Sequence, residues 1–377
     1  MKVVIATDSV MDLRQDKAET SSGLFVLKLA RQLLSVGNQV FILSGRVAAD
    51  SVTEDGNLRL LKWQRFQPSF FTIQGEAKTY RELEQIGKEY HLLDTDTAFL
   101  TFGYSYQTAR LFLKLKKQYG VKLFTYIFDT HRGVLASLPG YKQWILERYH
   151  QHGIHLTNRF DGVILFRETA YKDLGLTIPY HISRIGVEEN EIADQYRFTD
   201  HAPLRAVYAG ALEEYNGIRL MLDAFGQLDT GRITLDIYGN GSLENVVRKT
   251  ADHVRIRYHG RVEHKQVVQA QKQADLLLNL RDLSSPVCRY AFPSKLIEYL
   301  ASGVPVCSTR VLQKNEFEDA AFVLDDFSTD GLLSILNRIL ENPAVLEQVS
   351  ARQIDYVKRF CLWKTVPEEL TAFIKSV

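Results

Sequence analysis

The segment FPSKLIEYLASGVPV, residues 292–306, is the clearest sign of how this chain folds. Pro293 suits the first position of a helix and Gly303 the position just past its end, so the segment predicts one short helix with two marked ends. Apolar runs at 275–280 and 304–308 flank this helix and predict two strands. A strand, a helix and a second strand in this order form the repeating unit of a parallel sheet.

The same alternation of apolar runs and helical patterns fills both halves of the chain. In the first half, strands are predicted at 3–6, 40–43, 97–102, 122–128 and 162–166. In the second half, the pattern restarts with strands at 206–209, 233–238, 254–258, 275–280, 304–308 and 321–324. Two such series predict the α/β class, with two Rossmann-like, doubly wound domains.

Length and polarity suggest where one domain gives way to the other. The chain has 377 residues, and single hydrophobic cores stop growing at roughly 250–300 residues. A polar stretch at 185–203 separates the two series of strands. We therefore predict an N-terminal domain at 1–190, a C-terminal domain at 191–345, and terminal helices at 346–377 that pack back toward the N-terminal domain.

Composition excludes several classes of protein. The formal net charge is +1, from 46 basic and 45 acidic residues, which argues against a nucleic-acid binder that needs a broad basic surface. Cys288, Cys307 and Cys361 are too scattered for a disulfide framework or a zinc site, and we expect them to be small buried fillers. The N-terminal apolar run is too short for a signal peptide, and no run approaches the roughly 20 apolar residues of a membrane span. A cytoplasmic protein is expected.

The helix predicted within 292–305 has the features of a nucleotide-binding site. The unpaired N–H groups at a helix N-terminus favour an anion, and Ser294 and Lys295 add a hydroxyl donor and a positive charge. Ser294 and Glu298 share a face, with a rise of about 6 Å between them. A phosphate near Ser294 and Lys295, with ribose hydroxyls on Glu298, fits this spacing. The alternative is a capped core helix on which Lys295 and Glu298 form a surface pair.

Two other junctions between a strand and a helix could contact a ligand. Gly239 and Gly241 follow a predicted strand, where they would let the backbone approach a ligand closely, and Ser242 is a candidate N-cap. Glu244 stands where a dinucleotide-binding fingerprint needs its third glycine, so an ordinary turn remains the alternative. The segment 20–23, ending in Gly23, precedes the first helix in the same way, with a plain N-cap as its alternative.

A polar segment at 129–133 follows a predicted strand of the first half. His131 lies there at the carboxyl end of the strand, where open parallel sheets bind ligands, and could act as a general acid or base or contact a sugar. A structural histidine is the alternative. Asp94-Thr95-Asp96 has the form of a metal-binding D-x-D motif, and we interpret it as a polar turn. The sequence contains neither a phosphate-binding loop with its lysine nor a G-x-S-x-G motif.

Several motifs occur in an order that is typical of one enzyme family. They are IGVE (185–188), VYAGAL (207–212) with NGI (216–218), DIYGNG (236–241), YHGRV (258–262) and FPSKLIEYLASGVP (292–305). In this order the segments resemble the nucleotide-sugar domain of the retaining family four of GT-B glycosyltransferases (glycosyltransferase group 1), in the form common in bacterial surface-polysaccharide transferases. The first half matches more loosely, through Ser22-Gly23 and 129–131.

The resemblance implies a GT-B fold in which two Rossmann-like domains face a central cleft. It also implies transfer of a sugar, with retention and without an obligatory metal, from a nucleotide-diphosphate sugar to a saccharide or lipid-linked saccharide in the synthesis of cell-surface glycans. UDP is the expected nucleotide, bound by the C-terminal domain. His131 and Lys295 are the expected catalytic residues. Donor-binding residues are expected at Gly23, Gly210, Asn216, Gly239, Gly241, Val262, Arg281, Tyr290, Ser294, Lys295, Leu296 and Glu298.

Three positions depart from the family pattern. Ala211 and Asn216 stand where the family has an arginine and a lysine on the diphosphate, and Tyr290 stands where it has a glutamate that touches the donor sugar. Lys295, Arg281 and Arg289 are the nearby cations that could hold the diphosphate instead. Two alternatives stay open: a GT-B-fold nucleotide-sugar epimerase, which needs no acceptor, and a non-catalytic partner subunit.

One further segment suggests contact with a membrane. Residues 110–122 interleave basic and apolar side chains, as does a helix that lies on anionic lipid. Such a helix could bring the protein to a lipid-linked acceptor on the inner face of the plasma membrane. A solvated basic helix face is the alternative.

Overall fold

The computed structural model divides the chain into two compact units, Met1–Arg184 with Trp363–Val377, and Ile185–Leu362. The structure describes residues 1–9, 11–13, 17–18, 21–45, 51–52, 57–63, 73–128, 140–184, 186–199, 201–228, 231–252, 254–285, 287–288, 294–311 and 316–377.

The first unit is built on an eight-stranded sheet in the order β10-β9-β8-β7-β1-β4-β6-β5. Neighbouring strands are parallel except β5, which runs antiparallel to β6 at the edge, and β2 and β3 form a separate antiparallel pair. The strands are β1 (Lys2–Thr7), β2 (Met11–Asp12), β3 (Lys17–Ala18), β4 (Gln39–Ser44), β5 (Ser51–Val52), β6 (Leu58–Lys62), β7 (Thr97–Phe102), β8 (Lys122–Ile127), β9 (Gly162–Leu165) and β10 (Tyr180–Ile182).

Helices connect the parallel strands of this unit, because a parallel pair needs a long crossover. They are α1 (Ser21–Ser35), α2 (Ile73–Glu89), α3 (Tyr106–Tyr119), α4 (Gly140–Thr157) and α5 (Glu168–Leu174). Helix α1 buries one apolar stripe, in which Val26, Leu29, Ala30 and Leu33 are almost inaccessible to solvent.

The second unit has a six-stranded, fully parallel sheet in the order β13-β12-β11-β14-β15-β16. This is the 3-2-1-4-5-6 order of the Rossmann fold, in which the strand order reverses between the first and fourth strands. The strands are β11 (Leu204–Ala209), β12 (Ile233–Tyr238), β13 (Ile256–Gly260), β14 (Leu276–Asn279), β15 (Val306–Thr309) and β16 (Phe322–Leu324). The α/β class and the two doubly wound domains are thus as predicted.

Two apolar layers cover the faces of this second sheet. The helices of this unit are α6 (Ile218–Gln227), α7 (Glu244–Thr250), α8 (His264–Lys272), α9 (Ser294–Ala301), α10 (Glu316–Asp319), α11 (Thr329–Glu341) and α12 (Val345–Phe360), with short 3-10 turns at Glu189–Glu191 and Glu214–Asn216. One layer packs β11 and β12 against α6 and α11, and the other packs β14 and β15 against α9, the helix that the 292–306 segment predicts. Cys288, Cys307 and Cys361 are buried thiols, as expected of fillers.

The C-terminal region, predicted as a single segment at 346–377 that packs toward the N-terminal domain, is divided between the two units. Helix α12 belongs to the second unit, where Gln353 donates hydrogen bonds to the carbonyl oxygens of Leu300 (3.0 Å) and Val304 (2.9 Å). Only the last helix, α13 (Val366–Ser376), returns to the first unit. There Asn38 donates a hydrogen bond of 3.1 Å to Thr371, so the boundary at the C-terminus falls at 362–363 rather than at 345.

Helix α3 does not present the membrane-facing surface suggested for 110–122. Arg110 pairs with Glu76 at 3.2 Å and Lys116 with Asp161 at 2.7 Å, so these charges are used within the unit. The apolar side chains of the helix face the core, with Leu111, Phe112 and Leu115 buried. Among the helices in the described ranges, none has the length and apolar character to cross a membrane.

Candidate functional site

The candidate site lies at the carboxyl ends of β11 and β14, the two adjacent strands between which the order of the second sheet reverses. Gly210 directly follows β11, Arg281 follows β14 by two residues, and Lys295 lies in the first turn of α9. Open α/β sheets bind ligands at this switch point, outside the carboxyl ends of the strands. The topology therefore brings together three residues that are far apart in the sequence.

Lys295 is attached to the end of β11. Its Nζ donates a hydrogen bond to the main-chain carbonyl oxygen of Ala209, and the Tyr299 hydroxyl donates to the same oxygen at 3.2 Å. A Cβ atom at Gly210 would lie 3.0 Å from the Lys295 Nζ and 2.8 Å from the Tyr208 hydroxyl. Gly210 thus leaves the space that the Lys295 ammonium group occupies.

The electrostatics of Lys295 are those of a partly buried cation beside a second cation. Burial lowers the pKa of Lys295, with the Glu298 charge opposing this shift and the Arg281 charge adding to it. None of the described residues forms an ion pair with Lys295 or Arg281, and the Arg281 Nε is buried without a hydrogen-bond partner among them. Two like charges held together at a strand terminus favour an anion, because its negative charge would neutralise both.

Helix α9 separates its side chains between solvent and core. Glu298 is exposed, one turn after Lys295, whereas Leu296 is fully buried. The expected contribution of Leu296 to a ligand is therefore limited to its main-chain N–H. The described helix begins at the main chain of Ser294, whose side chain lies outside the described part of the structure, as does Pro293, the residue predicted at the first position.

The loop after β11 closes on itself through neutral groups. The carbonyl oxygen of Ala211 accepts hydrogen bonds from the Tyr208 hydroxyl at 2.7 Å and from the Asn216 side-chain amide at 2.9 Å. Asn216, expected to bind the donor, thus holds its own loop in place. At the two positions where the resembled family has an arginine and a lysine, this chain has the neutral residues Ala211 and Asn216, and the same loop carries Glu213 and Glu214. The positive charge of the site comes from Arg281 and Lys295.

Gly239 and Gly241 allow two loops to pack together. Gly239 has a φ of +130°, and a Cβ atom there would lie 1.9 Å from the Gly210 carbonyl oxygen. A Cβ atom at Gly241 would lie 2.6 Å from the Leu212 carbonyl oxygen. The structure therefore explains both glycines by loop packing rather than by the ligand approach that the sequence suggested.

Ser242 is not the N-cap that the sequence predicted. The helix begins at Glu244, and no side chain caps its N-terminus. The Ser242 hydroxyl instead donates to the Glu213 carboxylate at 2.6 Å. Because Ser242 lies in the loop after β12 and Glu213 in the loop after β11, this hydrogen bond joins the two loops.

The remaining predicted residues fall in three groups. Val262 follows β13 and is half-buried against the core of the second unit. Gly23 lies inside the first turn of α1 in the first unit, not ahead of that helix. His131, Tyr290 and Arg289 lie outside the described residues.

Tyr208 and Tyr299 are site residues that the sequence analysis did not select. Both orient the loop and the lysine around Ala209 and Gly210. Tyr299 follows Lys295 by four residues, so its position on the same helix face was visible in the sequence. Tyr208 gave no such signal, because a tyrosine in a buried strand is an ordinary core residue.

A buried carboxylate on β12 is also visible only in the structure. Asp236, on β12, is 1% exposed and contacts Arg205 at 2.7 Å, Arg257 at 2.8 Å and His259 at 2.5 Å. Burial alone would raise the pKa of Asp236, but hydrogen bonds from His259 and Arg205 and the charges of both arginines hold it below its usual value. The His259 ring stacks on Tyr238 with centroids 4.4 Å apart. This cluster ties β11, β12 and β13 together below the glycine turn.

The D-x-D segment at 94–96 is a hydrogen-bonded turn. Asp94 accepts hydrogen bonds from the Asp96 main-chain N–H at 3.1 Å and the Thr97 hydroxyl at 2.8 Å, and pairs with Lys2 at 2.8 Å. In the described ranges, no group of three His, Cys, Asp or Glu side chains is arranged to hold a metal ion.

Comparison with known proteins finds a family model that matches part of the second unit. Residues 203–342 match the family model described as glycosyl transferases group 1, as the motifs predicted. This match covers β11 to α11, and therefore includes Gly210, Arg281, Lys295 and Glu298. No curated protein sequence matches the chain significantly.

Solved structures show the fold of the whole chain. A sucrose-phosphate synthase from Thermosynechococcus elongatus has a TM-score of 0.70 at 13% identity, with 100% of this chain and 98% of that chain covered. HepE from Anabaena, in complex with UDP, has a TM-score of 0.68 at 13% identity, with both chains fully covered. The lipopolysaccharide outer core galactosyltransferase WaaB has a TM-score of 0.67 at 14% identity, with 100% and 99% covered. The two-domain, Rossmann-like architecture is therefore that of GT-B proteins.

Proposed function

We propose that this protein is a glycosyltransferase that takes a sugar from a nucleotide-diphosphate donor, with UDP as the nucleotide, and transfers it to a saccharide or lipid-linked saccharide. The observation that carries the proposal is the pair of cations, Lys295 and Arg281, held together at the switch point of a Rossmann sheet without an ion-pair partner among the described residues. The family match at 203–342 and the complex of HepE with UDP support it.

The diphosphate, the ribose and the base of the donor each have a complementary group in the second unit. The first N–H groups of α9, with Ser294, Lys295 and Arg281, would hold the diphosphate. Glu298, exposed one turn later, would accept hydrogen bonds from the ribose hydroxyls. The main chain between Gly260 and Val262 would contact the base. The first unit, with Gly23 and His131, would bind the acceptor and the transferred sugar.

The cations also have a role in the chemical step. In transfer, the bond between the sugar's anomeric carbon and the diphosphate oxygen breaks, an acceptor hydroxyl oxygen forms the new bond to that carbon, and the hydroxyl proton passes to the departing diphosphate oxygen. Negative charge develops on the leaving diphosphate, where Lys295 and Arg281 would stabilise it more strongly than they stabilise the intact donor. We propose that the two cations take the place of a metal ion and that the configuration at the anomeric carbon is retained.

The wider role that we propose is the synthesis of a cell-surface glycan in the cytoplasm. WaaB is named for such a pathway, and the helix segment FPSKLIEYLASGVP has the form common in surface-polysaccharide transferases. Transfer to a saccharide acceptor would distinguish this role from that of an epimerase, and donor binding would distinguish it from that of a non-catalytic subunit.

A thermal-shift screen over UDP-, GDP- and dTDP-sugars tests the proposal. A ligand at 100 times its Kd stabilises the folded state by about 2.7 kcal/mol, which raises the Tm of a domain of this size by about 5–10 °C. We expect UDP and one UDP-sugar to do so, followed by product formation only when an acceptor is added. Conversion of the donor without acceptor would identify an epimerase, and no shift with any donor would contradict the enzyme proposal.

A further inference from the structure

Tyr215 lies beside the two cations of the candidate site. It belongs to the short turn Glu214–Asn216 in the loop after β11, and its side chain is half-buried. Its carbonyl oxygen accepts hydrogen bonds from the Asp282 main-chain N–H at 2.9 Å and from the Cys288 thiol at 3.6 Å. These contacts fix the loop after β11 to the loop after β14, which carries Arg281.

The Tyr215 hydroxyl has no hydrogen-bond partner among the residues that the structure describes. Burial and the neighbouring Glu213 charge raise the pKa of this hydroxyl, whereas the Arg281 charge lowers it. Because the net effect is a rise, the hydroxyl keeps its proton at neutral pH. A neutral phenol hydroxyl both donates and accepts hydrogen bonds, so it can pair with a sugar hydroxyl, which does the same.

Contacts along the loop after β11 separate Tyr215 from Lys295. The Lys295 Nζ donates to the carbonyl oxygen of Ala209, where the loop begins, and Tyr215 lies where the loop ends, bound to Asp282. In addition to the larger effect of burial, the charge of Arg281 lowers the pKa of both Lys295 and Tyr215. Arg281 is therefore close to both side chains, and the order across the strand ends is Lys295, Arg281, Tyr215.

This order matches the order of the groups in a nucleotide sugar. Glu298, whose charge acts on Lys295, is the residue proposed for the ribose, and the two cations are those proposed for the diphosphate. The next group of the donor is the transferred sugar, and the next side chain is that of Tyr215. The free hydroxyl thus lies at the end of the site where the sugar hydroxyls are expected.

A carboxylate accompanies Tyr215 at this end of the site. The Ser242 hydroxyl and main-chain N–H donate to the Glu213 carboxylate at 2.6 Å and 3.1 Å. Glu214 pairs with Arg219 at 3.0 Å, whereas Glu213 forms no ion pair within the described ranges. An unpaired carboxylate repels a second one, and such repulsion is a means of rejecting the wrong ligand. Glu213 therefore disfavours a sugar that carries a carboxylate.

We propose that Tyr215 is a specificity-determining residue whose hydroxyl contacts the transferred sugar, and that Glu213 restricts this sugar to an uncharged one, a hexose or an N-acetylhexosamine rather than a uronic acid. The inference rests on the proposed function, since it requires the diphosphate at Lys295 and Arg281. It adds a contact from the second unit to those proposed for the sugar in the first.

Calorimetry with UDP, UDP-glucose, UDP-galactose and UDP-N-acetylglucosamine tests the role of Tyr215. Tyr215→Phe removes the hydroxyl and keeps the ring. It should weaken binding of the tightest of these UDP-sugars by about 3- to 10-fold and change the affinity for UDP by less than about twofold, because only one hydrogen bond between uncharged groups is lost. Tyr180→Phe, which removes the hydroxyl of an exposed tyrosine in the first unit, should change neither affinity.

UDP-glucuronic acid tests the role of Glu213. The parent protein should bind it at least about tenfold more weakly than the tightest uncharged UDP-sugar, because the two carboxylates repel each other. Glu213→Gln keeps an oxygen for Ser242 and should reduce this difference. Glu341→Gln, with the same change in net charge at the exposed end of α11, should preserve it.

The outcomes distinguish this inference from the proposed function. Equal weakening of UDP and the UDP-sugars by Tyr215→Phe, or no weakening of either, would overturn the role of Tyr215 while UDP binding by the parent protein still supports the donor site. UDP-glucuronic acid that binds as tightly as the uncharged UDP-sugars would overturn the role of Glu213. A parent protein that binds neither UDP nor any UDP-sugar would contradict the proposed function itself. Thermal melting without ligand verifies that each variant is folded.

Discussion

The ammonium group of Lys295 donates a hydrogen bond to the main-chain carbonyl oxygen of Ala209, the last residue of β11. This contact joins the first turn of α9 to the end of the strand at which the sheet order reverses. The acceptor is neutral, so it satisfies a hydrogen bond but does not neutralise the charge. Burial and the neighbouring Arg281 charge both lower the pKa of Lys295. A phosphate placed here would supply the missing negative charge.

Lys295→Met should weaken UDP binding by about 10- to 150-fold, because a hydrogen bond to a charged group contributes about 1.5–3 kcal/mol. Methionine keeps most of the length of the side chain, and without ligand the variant should be at least as stable as the parent protein, since a partly buried charge is removed. Calorimetry with UDP and thermal melting measure the two effects. Lys272→Met, at the exposed end of α8, is the matched control, and an unchanged UDP affinity for Lys295→Met would contradict the site assignment.

The affinity for UDP should fall as the pH rises through the pKa of Lys295. Only the protonated lysine attracts the diphosphate, and burial places its pKa below the usual lysine value of about 10.4, so the loss should begin at a lower pH than for an ordinary lysine. Arg281→Gln should weaken binding and move the midpoint to higher pH, because a like charge is removed. Calorimetry at pH values from 7 to 10 measures the midpoint. Lys295→Met should lack this step, and the same step in that variant would assign the titration to another group.

Glu298→Gln should reduce discrimination at the ribose. The parent protein should bind UDP about tenfold more tightly than 2′-deoxy-UDP, since a hydroxyl that donates to a carboxylate contributes about 1.5 kcal/mol. The variant should bind the two nucleotides with more similar affinity, as measured by competition calorimetry. Glu341→Gln, exposed at the end of α11, controls for net charge. Equal discrimination by Glu298→Gln and the parent protein would place the ribose elsewhere.

Gly239→Ala should destabilise the second unit. A Cβ atom would lie 1.9 Å from the Gly210 carbonyl oxygen, and the φ of +130° is unfavourable for any residue with a side chain, which by itself costs about 1–3 kcal/mol. The Tm should fall by about 6–12 °C for a loss of about 3 kcal/mol in a domain of this size. Gly231→Ala, where a Cβ atom would meet nothing within 4 Å, should leave the Tm nearly unchanged. Similar melting of both variants would mean that the two loops do not pack this closely.

Asp236→Asn should cost about 3–5 kcal/mol at pH 7, because it leaves Arg205 and Arg257 partly buried without their common carboxylate. The pKa of Asp236 is lowered in the folded state, so its contribution is fully present above the unfolded value of about 3.9. That contribution is lost as the pH falls through the lower, folded pKa. Urea unfolding at pH 7 and at successively lower pH measures the difference between variant and parent. A difference that stayed constant below pH 4 would contradict this assignment.

The sequence predicted most of the framework of the second unit. The strand at 233–238 matches its prediction, and β11, β14, β15 and β16 lie within two residues of theirs. Strand β13 was expected at 254–258 and lies at Ile256–Gly260, because Asp252 accepts hydrogen bonds from the main chain of Val254 and Arg255 and holds them in a turn. Side-chain hydrogen bonds of this kind compete with strand pairing and leave no mark on apolar periodicity.

Two strands of the first sheet were missed for a related reason. Strand β6 (Leu58–Lys62), which lies next to the edge strand β5, and strand β10 (Tyr180–Ile182), at the opposite edge, are short, and polar residues flank or interrupt them. Strand β10 has a partner on one side only, in β9. Such strands lack the continuous apolar run that marks a strand buried on both faces, so their pairing depends on a neighbour supplied by the rest of the fold.

The sequence by itself determined the local elements: the strands that are buried on both faces, and α9, which begins at Ser294 and ends before Gly303. These features follow from apolar spacing and from the backbone preferences of proline and glycine, which act over a few residues. Only the tertiary structure decided that Arg281 lies beside Lys295, that the Asn216 amide is bound to the Ala211 carbonyl oxygen, and that α12 and α13 belong to different units. These contacts depend on which strand ends lie side by side, and in a 3-2-1-4-5-6 sheet that order is set by packing between elements distant in the chain.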